Sequence, residues 1–259
     1  MGKIGVFGGD FCYTGAPFFA AMAALRAGAD LSYIVCAPEA SVPIKSYAPD
    51  LIVYPSLYDA QDSKDLINRM DVCIFGPGYG RSEQATASLE LLVPHAMSLS
   101  KVIVLDGDAL WYLSVNPDLI SYPRNDSTII LTPNIMEFTR IYKAVMRDDP
   151  KEDAVEVLAK RLNCFILAKG PHDIVCTPEG VACDVHGEGS PRRHGGQGDI
   201  LCGLGGLYSH WSKIKSLDIS VGLCEASKVT RKLARLAYAK HGRSVVTSDF
   251  FEFFSQIFD

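Results

Sequence analysis

Short, almost wholly apolar runs recur along the chain, and longer segments that suit helices separate them. The apolar runs span residues 4–7, 31–36, 51–54, 72–75, 102–105, 128–131 and 165–168. The helix-like segments span residues 16–27, 82–98, 135–145 and 153–162. Because strands covered on both faces have no polar side, continuous apolar runs are typical of parallel strands. The alternation therefore predicts an α/β fold, with helices on both faces of a mainly parallel sheet.

The pattern changes after residue 169. Residues 173–177 and 181–185 flank a Pro-Glu-Gly turn, which predicts an antiparallel hairpin and hence a mixed sheet. Residues 199–211 and 219–241 predict two further helices. No linker, repeat or low-complexity block interrupts the sequence, so we expect a single domain over residues 1–259.

The last segment of the chain carries five large apolar residues at helical spacing: Phe250, Phe253, Phe254, Ile257 and Phe258. This spacing places them on one stripe of a helix. Such a stripe either docks on the core of the same chain or forms a subunit interface. We expect docking on the core, and the sequence leaves the formation of a homo-oligomer open.

Charge and composition narrow the classes of partner. The 259 residues include 25 basic and 30 acidic side chains, a net charge of −5, which argues against a nucleic-acid binder. The basic residues near the C-terminus are expected on a solvated helix face; they are Lys228, Arg231, Lys232, Arg235, Lys240 and Arg243.

Apolar runs and cysteines indicate the compartment. The apolar runs are far shorter than the ~20 residues that cross a bilayer, so we expect no membrane span. The N-terminus has no targeting features, which favours the cytoplasm. The eight cysteines include no C-x-x-C pair, and we expect most to be buried free thiols.

Glycine-rich and polar turns follow the predicted strands. They are residues 8–9, 76–80, 106–108, 132–134 and 169–170. Because the carboxyl ends of parallel strands meet at one edge of a sheet, these turns predict a ligand site there. The sequence has no G-x-x-x-x-G-K-[ST] motif, and residues 76–80 do not fit G-x-G-x-x-G, so a P-loop is excluded and a dinucleotide oxidoreductase loses its usual support.

The most informative segment is residues 189–201, GSPRRHGGQGDIL. Gly195, Gly196 and Gly198 let the backbone approach a ligand closely, and the helix that follows directs unpaired N–H groups at it. This pattern predicts an anion site. Asp199 either caps the helix or acts as a catalytic base that takes a hydroxyl proton while the amides stabilise a transferring phosphoryl group. We favour the catalytic role.

The GxGD arrangement resembles the ribokinase-like superfamily of small-molecule kinases. The ordered combination of GGDFCYTGAPFFAAMAALRAGADL, GPGYGR, DGDALW, LTPNIMEFTR, KGPHDIV and GSPRRHGGQGDIL resembles the ATP- or ADP-dependent NAD(P)H-hydrate dehydratases over nearly the whole chain. YTGAP, TPN-x-x-EF and GGQGD are more specific than GxGD alone, which sugar and vitamin kinases share. The resemblance implies a ribokinase-like three-layer α/β/α sandwich, with a mainly parallel central sheet and an antiparallel hairpin at one side.

The resemblance also implies a reaction. The S epimer of hydrated NADH or NADPH is phosphorylated on its ring hydroxyl by ATP or ADP, with Mg²⁺, and phosphate then leaves. No epimerase domain is fused to this chain, so we expect a separate epimerase as the functional partner. The lack of this fused domain also favours ATP as the phosphoryl donor.

The resemblance assigns residues to each part of this reaction. Catalysis falls to the carboxylate of Asp199 and the amides of Gly196, Gln197 and Gly198. The substrate side comprises Gly80, Asn134, Ile135, Met136, Glu137, Phe138, Thr139, Arg140 and Asp199. The nucleotide side comprises Lys169, Gly170, Pro171, His172, Asp173, Gly189, Ser190, Pro191, Arg192, Arg193, His194, Gly195, Gly196, Gln197 and Gly198. Chain position adds Tyr13, Thr14, Gly15 and Ala16 to the substrate side, because they lie between the first strand and a helix N-terminus.

Several of these residues also have a purely structural interpretation. Asn134 and Glu137 fit a helix capping box, which is compatible with a role in binding. Lys169 either neutralises phosphate or is a surface lysine. Asp106 and Asp108 either place Mg²⁺, usually through water, or cap a helix.

The two adjacent arginines, Arg192 and Arg193, either contact phosphates or keep their loop soluble, and we favour phosphates.

Two rival functions remain at this point. One is a kinase for a hydroxymethylpyrimidine, a sugar or another vitamin precursor, which shares the GxGD motif but releases a phosphorylated product. The other is a catalytically silent nucleotide sensor, which is disfavoured because Asp199, Gly196 and Gly198 are all present.

Overall fold

Nine strands form one sheet in the structure, a computed structural model that describes residues 2–121 and 125–258. The strand order is β3-β2-β1-β4-β5-β6-β7-β8-β9. The strands are β1 Lys3–Phe7, β2 Leu31–Val35, β3 Ile52–Tyr54, β4 Val72–Phe75, β5 Val102–Leu105, β6 Thr128–Leu131, β7 Phe165–Ala168, β8 Asp173–Thr177 and β9 Gly180–Val185. Strands β1 to β7 pair in parallel, while β8 and β9 are antiparallel at one edge, which confirms the predicted mixed sheet.

Helices connect the strands and follow the hairpin. They are α1 Gly15–Arg26, α2 Pro38–Tyr47, α3 Ala60–Arg69, α4 Glu83–Met97, α5 Gly107–Val115, α6 Ile135–Met146, α7 Ala154–Leu162, α8 Gln197–Ile214, α9 Ile219–His241 and α10 Ser255–Phe258. In the described part of the chain, no helix is long and apolar enough to cross a bilayer.

Three of these helices were not anticipated from the sequence. Helix α2 has a proline at position 43, and α3 is mostly polar and begins at the N-cap Asp59, whose carboxylate accepts from two backbone N–H groups. Helix α5 begins inside the Asp-Gly-Asp turn, which hides its start. The internal proline of α2, the few apolar residues of α3 and the turn-like sequence at the start of α5 explain these omissions.

Two apolar cores lie on opposite faces of the sheet, as the alternation of side chains along a strand requires. In β4, Val72 and Ile74 join a core formed with α1, α8 and α9. Cys73 and Phe75 of the same strand join a second core formed with helices α3 to α7. The result is a three-layer α/β/α arrangement.

The aromatic segment at the C-terminus docks on the first of these cores. Phe250, Phe253 and Phe254 are buried there, which confirms docking on the same chain. Residues 247–253 form a 3₁₀ helix, however, so the expectation of one continuous α-helical stripe over residues 250–258 is wrong. A 3₁₀ helix tightens the turn and changes which residues share a face. Six of the eight cysteines are buried, as expected.

Close packing of α1 against α8 depends on a glycine. A Cβ atom on Gly203 would lie 2.2 Å from the backbone oxygen of Ala20, which is too short for any contact. Two residues further along α8, a Cβ atom on Gly205 would meet Leu223 at an ordinary 3.6 Å. Only the first glycine therefore sets the distance between the helices.

Replacing Gly203 by alanine should lower the free energy of unfolding by about 1–3 kcal/mol, because the two helices must separate. The matched variant Gly205→Ala should be neutral or more stable by up to about 1 kcal/mol, since alanine is the better helix former. Urea unfolding of both variants measures the difference. Equal stability of the two variants would contradict this account of the α1–α8 contact.

Candidate active site

The predicted ligand edge of the sheet carries a cavity with a volume of about 1110 Å³. Its walls come from the turns after β6 and β7, from residues 187–198 and from α9. Lys169 follows β7, and an isolated bridge ties it to Asn134 after β6. The structure thus brings the predicted substrate and nucleotide segments to one opening.

The N-terminus of α8 lies at this cavity and begins at a glycine that cannot be replaced without strain. Gly196 is the N-cap residue, with a left-handed φ of +97°. A Cβ atom there would lie 2.7 Å from Oγ1 of Thr247. Helix α8 starts at Gln197, two residues earlier than expected, and its first-turn amides lie where the sequence predicts an anion site.

A cluster of charged side chains lies next to this helix start. The Lys169 ammonium is 2.7 Å from Oδ1 of Asp106 and 4.0 Å from Oε2 of Glu137. Thr132 donates to the same Asp106 oxygen at 2.9 Å. Lys169 is mostly buried, which excludes the interpretation as a surface lysine.

These neighbours shift the pKa values of the cluster. Burial lowers the pKa of Lys169, but the charges of Asp106 and Glu137 outweigh burial and hold that pKa above its ordinary value. Burial raises the pKa of Glu137, and the charge of Asp106 adds to it against the opposing effect of Lys169. Lys169 is therefore protonated, and the cluster holds an excess of carboxyl groups.

Asp199 lies in the first turn of α8 and faces the same groups. Burial raises its pKa well above the ordinary value, the charges of Asp106 and Glu137 raise it further, and Lys169 opposes them. Since Gly196 occupies the N-cap position, Asp199 is not the cap itself. A carboxylate with a raised pKa is a stronger proton acceptor, which suits a general base.

The capping box predicted at the start of α6 is present. Oδ1 of Asn134 accepts from the amides of Met136 at 2.9 Å and Glu137 at 3.0 Å. Oε2 of Glu137 accepts from the Asn134 amide at 2.8 Å and also faces Lys169. The structural and functional interpretations of these two residues therefore coexist.

The remaining predicted substrate residues of α6 point in different directions. Ile135 and Met136 are exposed beside the cavity, and Ile135 lines it. Phe138 is buried in the core, so its side chain is not available to a ligand. Thr139 donates back to the Ile135 carbonyl, and Arg140 is exposed.

Asp106 and Asp108, predicted together as metal ligands, contact different groups. Asp106 faces Lys169 and makes no capping hydrogen bond to α5. Asp108 accepts from the Gly80 amide at 3.0 Å and from Nε of Arg81 at 2.7 Å. The structure therefore joins Asp106 to the charged cluster, whereas Asp108 holds the glycine-rich turn after β4.

Two loops predicted on the substrate side pack face to face. A Cβ atom on Gly78 would lie 2.5 Å from the Tyr13 carbonyl oxygen, and one on Gly80 would lie 2.6 Å from Oδ2 of Asp10. Both glycines have positive φ. Oδ1 of Asp10 accepts from the Tyr13 amide at 2.9 Å, and Thr14 shares a hydrogen bond with the Tyr47 hydroxyl at 2.6 Å.

These contacts leave the Tyr13 ring exposed above the loop pair, while Gly15 and Ala16 begin α1.

The nucleotide side contains a residue whose role the sequence did not indicate. Arg231 was expected on a solvated face, and this is wrong, since its side chain is only 15% exposed and pairs with Asp173. Helical spacing could have indicated that Arg231 is buried, because Arg231 shares its face of α9 with the buried residues Ser227 and Ala234. The neighbouring basic residues Lys228 and Lys232 are exposed, as expected.

The arginine pair of the glycine-rich loop divides between two cavities. Arg193 lines the large cavity. Arg192 donates to the Arg243 carbonyl and lines a smaller cavity of about 320 Å³ with Tyr238. Only Arg193 is thus placed beside the predicted anion site.

The C-terminal 3₁₀ helix supports the glycine-rich loop. The Thr247 hydroxyl donates to the Gly195 carbonyl at 2.6 Å and lies 3.0 Å from Nδ1 of His194. The His194 ring packs edge-on against Phe250. His172 lies outside this network and contacts the ring of His186.

Comparison with known proteins gives consistent matches. A family model described as NAD(P)H-hydrate dehydratase matches residues 4–255. The chain is 38% identical to the ATP-dependent (S)-NAD(P)H-hydrate dehydratase 2 of Puccinia graminis f. sp. tritici, over 100% of this chain and 84% of the relative. It is also 38% identical to the ATP-dependent (S)-NAD(P)H-hydrate dehydratase of Caenorhabditis elegans, over 95% of this chain and 84% of the relative.

One solved structure supports the fold. The ADP/ATP-dependent NAD(P)H-hydrate dehydratase from Bacillus subtilis, co-crystallized with ATP/Mg²⁺, matches with a TM-score of 0.80 at 20% identity. The match covers 100% of this chain and 90% of that chain.

The raised pKa of Asp199 predicts a pH-dependent effect on stability. A carboxyl whose folded-state pKa exceeds its unfolded value binds its proton more tightly in the native state, so its contribution to stability is lost as pH rises through that interval. Asp199→Asn should therefore stabilise the protein relative to wild type, and the gap should grow with pH.

Urea unfolding at several pH values between about 5 and 8 measures this gap, an interval above the ordinary pKa of an aspartate. The control is Asp50→Asn, at an exposed turn between α2 and β3, which should show no such trend. A gap that is constant with pH for Asp199→Asn would contradict the assigned environment.

Proposed function

The chain belongs to the NAD(P)H-hydrate dehydratase family, and on that premise we propose that it restores NADH or NADPH from the S epimer of the hydrated dinucleotide, with ATP as phosphoryl donor. The observation that carries the proposal is the position of Asp199. It lies in the first turn of α8, where it faces Lys169, and its helix neighbours Gly198 and Leu201 line a cavity of about 1110 Å³. This volume is at the upper end of ordinary ligand sites and suits a nucleotide.

The first half of the reaction is phosphoryl transfer to the ring hydroxyl. Asp199 takes the hydroxyl proton while the oxygen attacks the terminal phosphorus of ATP, the bond from that phosphorus to the β-phosphate oxygen breaks, and ADP leaves. The amides of Gly196, Gln197 and Gly198 stabilise the charge on the transferring group, because a helix N-terminus offers unpaired donors. Lys169 neutralises further negative charge at the same place.

The second half is elimination of phosphate. The lone pair of the ring nitrogen expels the phosphate from C6, and loss of the proton on C5 restores the ring double bond. The protein needs no second strong acid here, since phosphate is a good leaving group. The amides that bound the transferring phosphoryl group also suit the departing phosphate.

Carboxylate oxygens in the cluster fit a magnesium ion. Asp106 and Glu137 would hold it, because two carboxylates share a single ammonium group and hard oxygen ligands suit Mg²⁺. When bound, the ion supplies positive charge to the donor phosphates. Asp108 is tied to the glycine-rich turn through Gly80 and Arg81, and among the described residues no hydrogen bond or ion pair joins its carboxylate to the Lys169 cluster.

The cellular setting that we propose is the cytoplasm, beside a separate epimerase. An enzyme that accepts only the S epimer leaves the R epimer unrepaired, so an epimerase that interconverts the two makes the whole pool available. On the substrate side, the paired loops at residues 10–14 and 76–80 would receive the hydrated dinucleotide.

The experiment follows the absorbance of the reduced nicotinamide ring. Hydrated NADH should regain this absorbance with ATP and Mg²⁺ and not without nucleotide, and a parallel reaction with ADP tests the choice of donor. Asp199→Asn should reduce kcat by about 10²–10⁴-fold, as expected for a general base, while ATP binding persists.

The variant Asp50→Asn serves as the control and should keep wild-type turnover. Phosphorylation of a vitamin precursor without recovery of absorbance would instead establish the rival kinase function. Wild-type turnover in Asp199→Asn would refute the assigned base.

A further inference from the structure

We propose that Arg231 is a positioning residue that sets the shape of the nucleotide end of the cavity, an inference that rests on the proposed function for the identity of the nucleotide. Arg231 lies in α9, and it lines the cavity together with Thr230 and Ala234 of the same helix. Its guanidinium joins three parts of the chain that are distant in sequence.

Every N–H group of this guanidinium has a partner. Nε donates to Oδ2 of Asp173 at 3.1 Å, and Nη2 forms an ion pair with Oδ1 of Asp173 at 2.8 Å. Nη2 also donates to the Gly170 carbonyl at 3.0 Å. Nη1 donates to the carbonyls of Pro171 at 2.8 Å and Gly187 at 3.1 Å. An arginine has five N–H donors, and all five are used here.

The acceptor positions of the Asp173 carboxylate are also all occupied. Oδ1 of Asp173 also accepts from the Gly170 amide at 2.9 Å, and Oδ2 also accepts from the Ser227 hydroxyl at 2.7 Å. Four donors thus occupy a carboxylate that is buried. Asp173 was predicted to contact the nucleotide, but these bonds leave its carboxylate no free acceptor position. Its contribution is to hold Arg231 and the Gly170 turn.

The three carbonyls that Arg231 holds belong to two separate walls. Gly170 and Pro171 lie in the turn between β7 and β8, and Gly187 follows β9. Both segments line the cavity. Connecting segments are the more mobile parts of a fold unless side chains fix them. Arg231 therefore fixes the distance between the two walls.

A guanidinium without free donors cannot bind the nucleotide directly through hydrogen bonds. Its effect must reach the ligand through the positions of the walls, so it should alter nucleotide affinity and not the chemical step. Lysine cannot substitute, because its three donors radiate from one atom and do not span five acceptors. The exposed Arg235, one turn further along α9, offers a matched control.

Steady-state kinetics of Arg231→Lys test the proposal. We expect KM for ATP to rise roughly 10- to 100-fold, because several charged hydrogen bonds that shape the site are lost. KM for hydrated NADH and kcat should stay within about twofold, as for a loss of donor binding that is equal in the ground state and the transition state. Arg235→Lys should leave all three constants unchanged. Calorimetric titration with a non-hydrolysable ATP analogue should show the same loss for Arg231→Lys.

A second variant keeps the test decisive if Arg231→Lys does not fold. Ser227→Ala removes one donor from Asp173 and leaves the guanidinium in place, so it should fold and raise KM for ATP by roughly 2- to 10-fold. Thermal melts verify folding of each variant. Unchanged ATP affinity in every folded variant would overturn the proposal, as would an equal rise in both KM values.

The two proposals can fail separately. If the wild-type protein binds the ATP analogue but does not dehydrate hydrated NADH, while Arg231→Lys loses the analogue, then the proposed function fails and the positioning role stands. If the wild-type protein turns over and Arg231→Lys binds the analogue as wild type does, then only the positioning role fails.

Discussion

A buried ion pair between Lys169 and Asp106 determines the character of the active site. It joins the carboxyl ends of β7 and β5 across the intervening strand β6, whose Thr132 donates to the same carboxylate. Taking both charges out of water is costly and is tolerated only with good geometry and additional hydrogen bonds. Because Lys169 is already paired with Asp106, its charge does not fully offset the charges of Glu137 and Asp199. The pKa values of these two carboxyl groups are therefore raised, and a bound cation would be stabilised there.

The cavity therefore has two polar networks of opposite kind. Around Lys169 the carboxyl groups outnumber the cations, which leaves capacity for a proton or a metal ion. Around Arg231 and Asp173, all donors of the guanidinium and all acceptor positions of the carboxylate are used within the chain. Partly satisfied groups suit chemistry, whereas a fully satisfied network makes the surrounding backbone rigid. The structure assigns these two tasks to two separate networks that line the same cavity.

Local patterns predicted the sheet and its ligand edge well, because strand position and turn composition are encoded within a few residues. The sequence predicted less well which side chains pair with each other across the fold. Asp106 and Asp108 are neighbours in sequence but contact different partners, since a helix begins between them. Arg231 looked like one basic residue among several, and only its distant partner Asp173 distinguishes it. Long-range charge pairing of this kind has no signal in a single sequence beyond the face of the helix on which the residue lies.

The contact of Thr247 with His194 and the Gly195 carbonyl has a consequence for biosynthesis. A chain emerging from the ribosome folds from its N-terminus, and its last residues are the last to leave. The sheet, the charged cluster and α8 can form while residues beyond 245 are still enclosed. The loop before α8, however, then lacks the hydroxyl that holds it and the Phe250 ring on which His194 rests. The loop before α8 is therefore held in its described position only after residues 247–250 have docked on it, so its order follows that of the C-terminal 3₁₀ helix.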